Sequence, residues 1–192
     1  MTPRLSIVCP ALVCRVGQWP ILGDVAEQCE GLPVEMLVLM DRGEMSIGEK
    51  MNRLYSMASG EYVAGIADDD RVAPDYVSAL LEAIGESDVV TFNVAWESRK
   101  SIGTSNFKPL AAVRLDLARR FKFPDWYRTE DAAFQYWLHR RKPSARHLNK
   151  TLYYHQPRSR KQEFGGRMYH PSSGDGSGPF KAYVHDFEEQ LA

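Results

Sequence analysis

The stretch YVAGIADDDRVAPDYV, residues 62–77, begins as an apolar run and stops at three adjacent aspartates, Asp68, Asp69 and Asp70. A short apolar run of this kind predicts a buried strand, and Pro74 suits the first turn of a helix that follows it. Carboxylates this close together repel one another unless a cation stabilises their ionised forms. The stretch therefore predicts a strand, an acidic turn and a helix, with a cation at the turn.

The segments on both sides of this unit continue the alternation of strands and helices. Hydrophobic patterns predict further strands over residues 4–10, 33–41, 88–98 and 147–156. They predict further helices over residues 17–31, 46–60, 110–121 and 129–141. In the second of these helices Ser46 and Glu49 form a capping box, and Gly60 stands where a C-cap glycine belongs. Thr129 is the expected N-cap of the last helix.

The order strand, helix, strand predicts an α/β fold, with a mostly parallel sheet flanked by helices in a single compact domain. Such sheets bind ligands in the crevice beyond the carboxyl ends of their strands. Pro10 is expected to end the first strand and Asp41 the second, and the three aspartates follow the third. Three strand ends are therefore expected to face one site.

Composition and charge narrow the class of protein. The chain has 192 residues, 44% of them apolar, which suffices for one globular core. No apolar run approaches the roughly 18 residues that cross a bilayer, so we expect a cytoplasmic protein without a membrane span. The three cysteines include no Cys-x-x-Cys pair, which favours reduced thiols. Residues 1–100 contain 8 Lys/Arg and 16 Asp/Glu, whereas residues 139–167 contain 9 basic residues and one acid.

The acidic turn admits two interpretations. Carboxylate oxygens are the ligands that Mg²⁺ and Mn²⁺ prefer, so the turn is a candidate divalent-metal site. Acidic residues are also common in surface turns, and they favour a helix N-terminus such as the one that follows Pro74. The run alone leaves both interpretations open.

The order of motifs along the chain favours the first interpretation. The segments SIVCPAL, VLMD, GEKMNRLYSMASGEYVAGIADDDRVAPDYV and AAVRLDLARRFKFPDWYRTEDAAF follow one another. This arrangement resembles the GT-A nucleotide-sugar glycosyltransferases, which have a Rossmann-like fold, and most closely family 2 of that class. Residues 48–77 carry the most specific part of the resemblance, and the pair Glu130 and Asp131 is a second, independent match.

The resemblance implies a donor site at the strand ends. In such enzymes the aspartate cluster holds Mn²⁺ or Mg²⁺ on the diphosphate of a nucleotide-sugar, most commonly a UDP-sugar. Asp70 would bind the metal with His155, and Asp68 would lie near the ribose. The implied donor-binding residues are Pro10, Ala11, Asp41, Lys50, Asp68, Asp69, Arg158 and Arg160. Family members often carry a second acid and a serine after the strand-2 aspartate, whereas this chain has Arg42 and Gly43, so the nucleotide base stays open.

The resemblance also implies an inverting reaction. Asp131, with Glu130 beside it, matches the carboxylate that takes the proton from the acceptor hydroxyl. Acids in the first turn of a helix also favour its dipole, which is the alternative reading of this pair. Trp126 and Tyr127, in the aromatic loop before the helix, are the implied acceptor-binding residues.

The expected organisation is a GT-A domain over residues 1–157 and a lid or tail over residues 158–192, basic at first and then rich in Gly, Ser and Pro. The basic segment 140–167 is a candidate surface for a polyanion, and it leads to the hypothesis that the acceptor is a hydroxymethylated base in DNA. A cell-surface glycan or a small metabolite is the rival acceptor. A non-catalytic nucleic-acid-binding domain and a nucleotidyltransferase are the alternatives of other classes.

Overall fold

The computed structural model describes residues 2–15, 20–96, 100–127 and 129–156. The helices of this part are α1 (Ile21–Cys29), α2 (Ile47–Met57), α3 (Tyr76–Ala83), α4 (Leu115–Ala118) and α5 (Glu130–Arg140). The strands are β1 (Leu5–Leu12), β2 (Val34–Asp41), β3 (Tyr62–Gly65), β4 (Arg71–Val72), β5 (Val89–Trp96), β6 (Ser101–Thr104), β7 (Ala112–Arg114) and β8 (Ala145–His155). A turn of 3₁₀ helix, Val13–Arg15, follows β1.

The strands form one mixed sheet in the order β2, β1, β3, β7, β5, β8, β4, and β6 pairs with β5 outside this path. β1 is parallel to both β2 and β3, and β5 is parallel to β8. The pairs of β3 with β7, β5 with β7, β5 with β6 and β4 with β8 are antiparallel. The expected α/β sheet flanked by helices is confirmed, and its parallel core is the β2, β1, β3 unit.

Two clusters of buried side chains hold the helices on the two faces of the sheet. One contains residues of α1 and α3, such as Val25 and Leu80, and the other contains residues of α2 and α5, such as Leu54 and Trp137. Leu5, Ile7, Cys9 and Ala11 of β1 belong to the first cluster and Val8 belongs to the second, so the strand is buried on both faces. This burial explains why the sequence of β1 is almost continuously apolar.

The capping box of α2 is confirmed in its main bond, because the Glu49 amide donates to Ser46 Oγ at 3.0 Å. The role expected for Gly60 is wrong. The helix ends at Met57 and its C-cap is Ala58. Gly60 instead passes so close to β1 that a Cβ there would lie 2.7 Å from the Ser6 backbone nitrogen.

Two boundaries differ from the sequence-based expectation. The helix expected over residues 110–121 is replaced by β7 and the short α4, because buried Ala112 and Val113 complete the sheet between β3 and β5. Pro10 does not end β1, which runs on to Leu12. The Val8 carbonyl accepts a hydrogen bond from the Ile66 amide, so the backbone nitrogen of Pro10, two residues further along the strand, also faces β3. The pairing of β1 with β3 ends at Val8, so no partner for an N–H is present at Pro10. A proline is therefore tolerated at this position.

Candidate active site

The carboxyl ends of the three parallel strands meet through side-chain contacts. Lys50, on α2, forms an ion pair with Asp41 at the end of β2, and its Nζ donates to the Ala11 carbonyl of β1 at 2.7 Å. The Leu12 amide, at the end of β1, donates to Asp68 Oδ2 at 2.8 Å. The structure therefore brings together four of the expected donor-binding residues, namely Ala11, Asp41, Lys50 and Asp68.

Asp41 is held as a carboxylate by its surroundings. Burial raises its pKa, but hydrogen bonds from Lys50, Met45 and Gly43 outweigh burial and bring the pKa below its ordinary value. The two amides donate at 2.7 Å from Met45 and 3.1 Å from Gly43, so the turn after β2 wraps around the side chain. Gly43 has a φ of 95°, a conformation that favours glycine, which gives a structural reason for this residue in the turn.

All three aspartates of the acidic turn are buried, and an arginine faces two of them. Arg15 Nη1 lies 2.7 Å from Asp68 Oδ1 and 3.0 Å from Asp69 Oδ2. The thiol of Cys9 is buried next to this group, and burial, together with the charges of Asp68 and Asp69, raises its pKa. Sequence reasoning missed Arg15, although a lone basic residue directly after a predicted strand was a usable signal.

Asp70 points to a different set of partners at the end of β8. The Tyr153 hydroxyl donates to Asp70 Oδ2 and the Gln156 amide donates to Oδ1, both at 2.9 Å. His155 Nδ1 lies 3.0 Å from Oδ1, and its ring stacks on Trp96 with centroids 4.2 Å apart. Burial and the charge of Asp70 raise the pKa of Tyr153, so its hydroxyl stays a donor. The two expected metal ligands are thus adjacent.

These two side chains fit one divalent cation in part. Within the described ranges, no three His, Cys, Asp or Glu side chains converge on a common metal position. Mg²⁺ and similar ions are often held by one or two protein groups together with substrate phosphates and water. A carboxylate fixed by a tyrosine hydroxyl, with an imidazole beside it, suits that arrangement.

Glu130 and Asp131 open α5, as expected. Thr129 occupies the N-cap position with a left-handed φ of 66°, and its side chain makes no capping bond. Asp131 Oδ2 forms an ion pair with Lys108 Nζ at 2.8 Å. The loop that carries Lys108 is fixed to the end of β3, because the Gly65 amide donates to the Pro109 carbonyl at 2.7 Å. Asp131 is therefore connected to the strand that leads into the acidic turn.

The aromatic loop before α5 is fastened to α2. Asn52 exchanges two hydrogen bonds with the Phe123 backbone, both at 2.8 Å, so this half-buried side chain joins the helix to the loop. The Gly48 amide donates to the Trp126 carbonyl at 3.2 Å, and a Cβ at Gly48 would lie only 1.8 Å from the Pro124 carbonyl oxygen. Trp126 packs partly against the core, whereas 45% of the Tyr127 surface is exposed.

Two expected residues, Arg158 and Arg160, lie outside the described residues, as does the segment 158–192 as a whole. None of the helices in the described ranges is long and apolar enough to cross a membrane.

Comparison with known proteins gives the fold a name. No family model and no curated protein sequence matches the chain. Among solved structures, Staphylococcus aureus TarS 1-349 in complex with UDP-GlcNAc matches with a TM-score of 0.64 and 15% identity, over 81% of this chain and 59% of that one. The chain has the GT-A fold.

Glucosyl-3-phosphoglycerate synthase from Mycobacterium tuberculosis is also similar to this GT-A chain. Its complex with Mn²⁺, UDP and phosphoglyceric acid matches with a TM-score of 0.57 and 16% identity, over 82% of this chain and 72% of that one. Its complex with Mg²⁺ and UDP matches with a TM-score of 0.57 and 15% identity, over 82% and 73%. The chain thus spans about 59% of the TarS fragment and 72% of the synthase, and at these identities the likeness establishes the fold.

Proposed function

We propose that this chain is a metal-dependent inverting glycosyltransferase, which moves a sugar from a UDP-sugar to an acceptor hydroxyl. The observation that carries the proposal is the junction of Ala11, Asp41, Lys50 and Asp68 at the carboxyl ends of a parallel unit within the GT-A fold. Similar structures in complex with UDP-GlcNAc, or with UDP and Mn²⁺ or Mg²⁺, support a nucleotide-sugar donor.

The donor would lie across the ends of β1, β2 and the acidic turn. Pro10 and Ala11 provide the backbone against which a base packs, and Asp41 is the hydrogen-bond acceptor beside it. Lys50 keeps Ala11 and Asp41 at a fixed spacing through its two contacts. Asp68 and Asp69 would face the ribose and the start of the diphosphate.

Asp70 and His155 would hold Mn²⁺ or Mg²⁺ at the diphosphate. When bound, the ion supplies Lewis-acid stabilisation of the negative charge that develops on the departing nucleoside diphosphate. The chain's own contribution is orientation, since Tyr153 and Gln156 fix the carboxylate of Asp70 and Trp96 fixes the ring of His155.

Asp131 is the proposed general base, and it takes the proton of the acceptor hydroxyl as that oxygen attacks the anomeric carbon. With 37% of its side chain exposed, it is open to an incoming hydroxyl. Lys108 holds the carboxylate in place through their ion pair, and Glu130 opens the same helical turn. Tyr127, exposed beside this turn, and Trp126 would pack against the acceptor.

We also propose that the acceptor is a hydroxymethylated base in DNA. The observation that favours a polyanion is a set of exposed basic residues from the end of α5 into β8, here called the basic surface: Arg140, Arg141, Lys142, Arg146 and Lys150, the last of which is paired with Asp75. No acidic residue interrupts the sequence from residue 139 to 156. A cell-surface glycan and a small metabolite are the competing acceptors for the same chemistry.

The donor part of the proposal is tested with a panel of nucleotide-sugars and Mn²⁺, scored by the shift in melting temperature, because a ligand that binds the native state stabilises it. A UDP-sugar is expected to give the largest shift, and only with the metal present.

Transfer is then measured with DNA that contains hydroxymethylated bases. Asp131→Asn is expected to lower transfer by roughly 10²- to 10⁴-fold with the donor-induced shift unchanged. Full transfer by this variant would contradict the assignment of the base.

A further inference from the structure

A permanent cation, the guanidinium of Arg15, already contacts the acidic turn. Arg15 Nη1 contacts both Asp68 and Asp69, at 2.7 Å and 3.0 Å, and the side chains of the three residues are 12%, 6% and 2% exposed. A guanidinium does not lose its proton in proteins and has no acceptor atom. One guanidinium therefore contacts two of the three carboxylates and balances one of their two negative charges.

The third carboxylate is oriented away from this arginine and towards β8. Its oxygens accept hydrogen bonds from the Tyr153 hydroxyl and the Gln156 amide, and His155 lies beside it. The acidic cluster is thus divided into a pair tied to the end of β1 and a single carboxylate, Asp70, tied to the end of β8. This division accounts for the lack of convergence of three metal-binding side chains within the described residues.

We propose that Arg15 is a positioning residue that occupies Asp68 and Asp69 and so reserves Asp70, with His155, as the single divalent-metal position. The inference rests on the proposed function. Arg15 and a metal ion compete for the same carboxylate oxygens, and the arginine is always at high local concentration because it is part of the chain. The Leu12 amide, which donates to Asp68 at 2.8 Å, holds the pair in the same orientation.

A consequence is that nucleotide-free protein binds at most one Mn²⁺ at this site, and binds it weakly. One carboxylate and one imidazole are few ligands for such an ion, so the diphosphate oxygens of a donor are needed to complete its coordination. If the positive charge at Arg15 is removed, Asp68 and Asp69 become two adjacent buried carboxylates that no longer share a guanidinium. A divalent cation then has a second position.

The test counts bound Mn²⁺ by electron paramagnetic resonance on the full chain without nucleotide. Arg15→Gln, which keeps a hydrogen-bond donor but removes the charge, is expected to bind one more Mn²⁺ than the wild type. Its melting temperature is expected to rise more on addition of Mn²⁺. Arg15→Lys should keep the wild-type count, since it restores the charge. Arg53→Gln is the matched control, because this exposed arginine pairs with Glu49 on the surface of α2. An unchanged count in Arg15→Gln overturns the inference.

A second variant keeps the inference testable if Arg15→Gln does not fold. Asp69→Asn retains the pair of Arg15 with Asp68, and its affinity for Mn²⁺ without nucleotide is expected to change by less than about threefold, whereas Asp70→Asn should lower that affinity by about tenfold or more. Equal losses in the two variants would overturn the inference. If the wild type neither binds nor cleaves any UDP-sugar, the proposed function fails, but the Mn²⁺ counts without nucleotide still decide the role of Arg15.

Discussion

Replacing Lys50 is expected to have the largest effect of any donor-site substitution on stability and on UDP binding. It is 2% exposed, and it joins Asp41 to the Ala11 carbonyl. Lys50→Met leaves a buried carboxylate without its counter-ion, and breaking a buried pair in this way typically costs about 3–5 kcal/mol. We therefore expect a lower free energy of unfolding by about that amount, measured by urea denaturation, together with weaker UDP binding.

The double variant Lys50→Met with Asp41→Asn separates the two causes. It removes both charges, so it should recover part of the stability lost in Lys50→Met while UDP binding remains weak. Arg53→Met is the matched control on the same helix, because its pair with Glu49 is exposed and such pairs contribute less than about 0.5 kcal/mol. Equal destabilisation by Lys50→Met and Arg53→Met would show that the pair of Lys50 with Asp41 has no special role.

At the residue scale, the sequence was most informative where a motif fixes both residue type and spacing. It predicted that Asp41, Lys50 and Asp68 would share one site, and that Asp70 would meet His155 although 85 positions separate them. Arg15 and Lys108 were not predicted. Arg15 lies in a turn of 3₁₀ helix and Lys108 lies in a loop, and the conformation that brings each to its acidic partner is not encoded in a local sequence pattern. For Asn52, the clamp on Phe123 depends on a contact 71 residues away.

At the scale of elements, Glu35 on β2 joins two strands to the turn that leads from α2 into β3. Its Oε1 accepts hydrogen bonds from Ser6 Oγ at 2.6 Å, Ser59 Oγ at 3.0 Å and the Gly60 amide at 3.2 Å. Burial raises its pKa, but these hydrogen bonds outweigh burial and lower the pKa below its ordinary value. A depressed pKa means that the ionised group stabilises the fold above roughly pH 4.3 and loses that contribution as the pH falls through the folded-state pKa.

Glu35→Gln is therefore expected to lower the free energy of unfolding at pH 7 by about 1–2 kcal/mol, since hydrogen bonds to a charged acceptor are replaced by weaker ones. The difference from the wild type should shrink as the pH drops below roughly 4. Urea denaturation at a series of pH values measures both effects. Glu61→Gln, an exposed acid in the same turn region, should show neither. A difference that stays constant down to pH 3 would mean that the charge of Glu35 contributes nothing.

Helices and strands with a strong local signal were predicted well, and those that depend on their neighbours were not. α2 has a capping residue and an apolar face, and it was recognised at its N-terminus. Residues 112–114 have a helix-like pattern, yet they form β7 because the gap between β3 and β5 must be filled by a strand. β4 has only two residues, and it exists because β8 is there to pair with it.

At the scale of the whole molecule, the class of fold followed from the alternation of patterns, but the direction of the strands did not. Parallel pairing was predicted correctly for β1, β2 and β3, which are joined by helices. β7 runs antiparallel to both of its neighbours, and its place in the sheet follows from the order of strands in space rather than along the chain. The consequence for function is that the parallel unit and the end of β8 supply opposite sides of the acidic turn.

The last prediction concerns the basic surface that begins at the end of α5. If this surface binds DNA through phosphates, the affinity should fall steeply as the salt concentration rises. For each phosphate contact, the logarithm of the association constant should fall by about 0.9 for a tenfold increase in salt. Arg140→Glu is expected to weaken binding of duplex DNA and to reduce the salt slope by about 1. Arg141 is a poorer choice, because it also packs over the Trp137 ring, with its guanidinium carbon 3.9 Å from the ring centroid.

Arg53→Glu is the matched charge reversal on another helix, and it should leave the binding and the slope unchanged. Fluorescence anisotropy at several salt concentrations measures both quantities. Equal effects of the two substitutions, or no binding by the wild type at low salt, would remove DNA as the acceptor and leave a glycan or a small metabolite for the same chemistry.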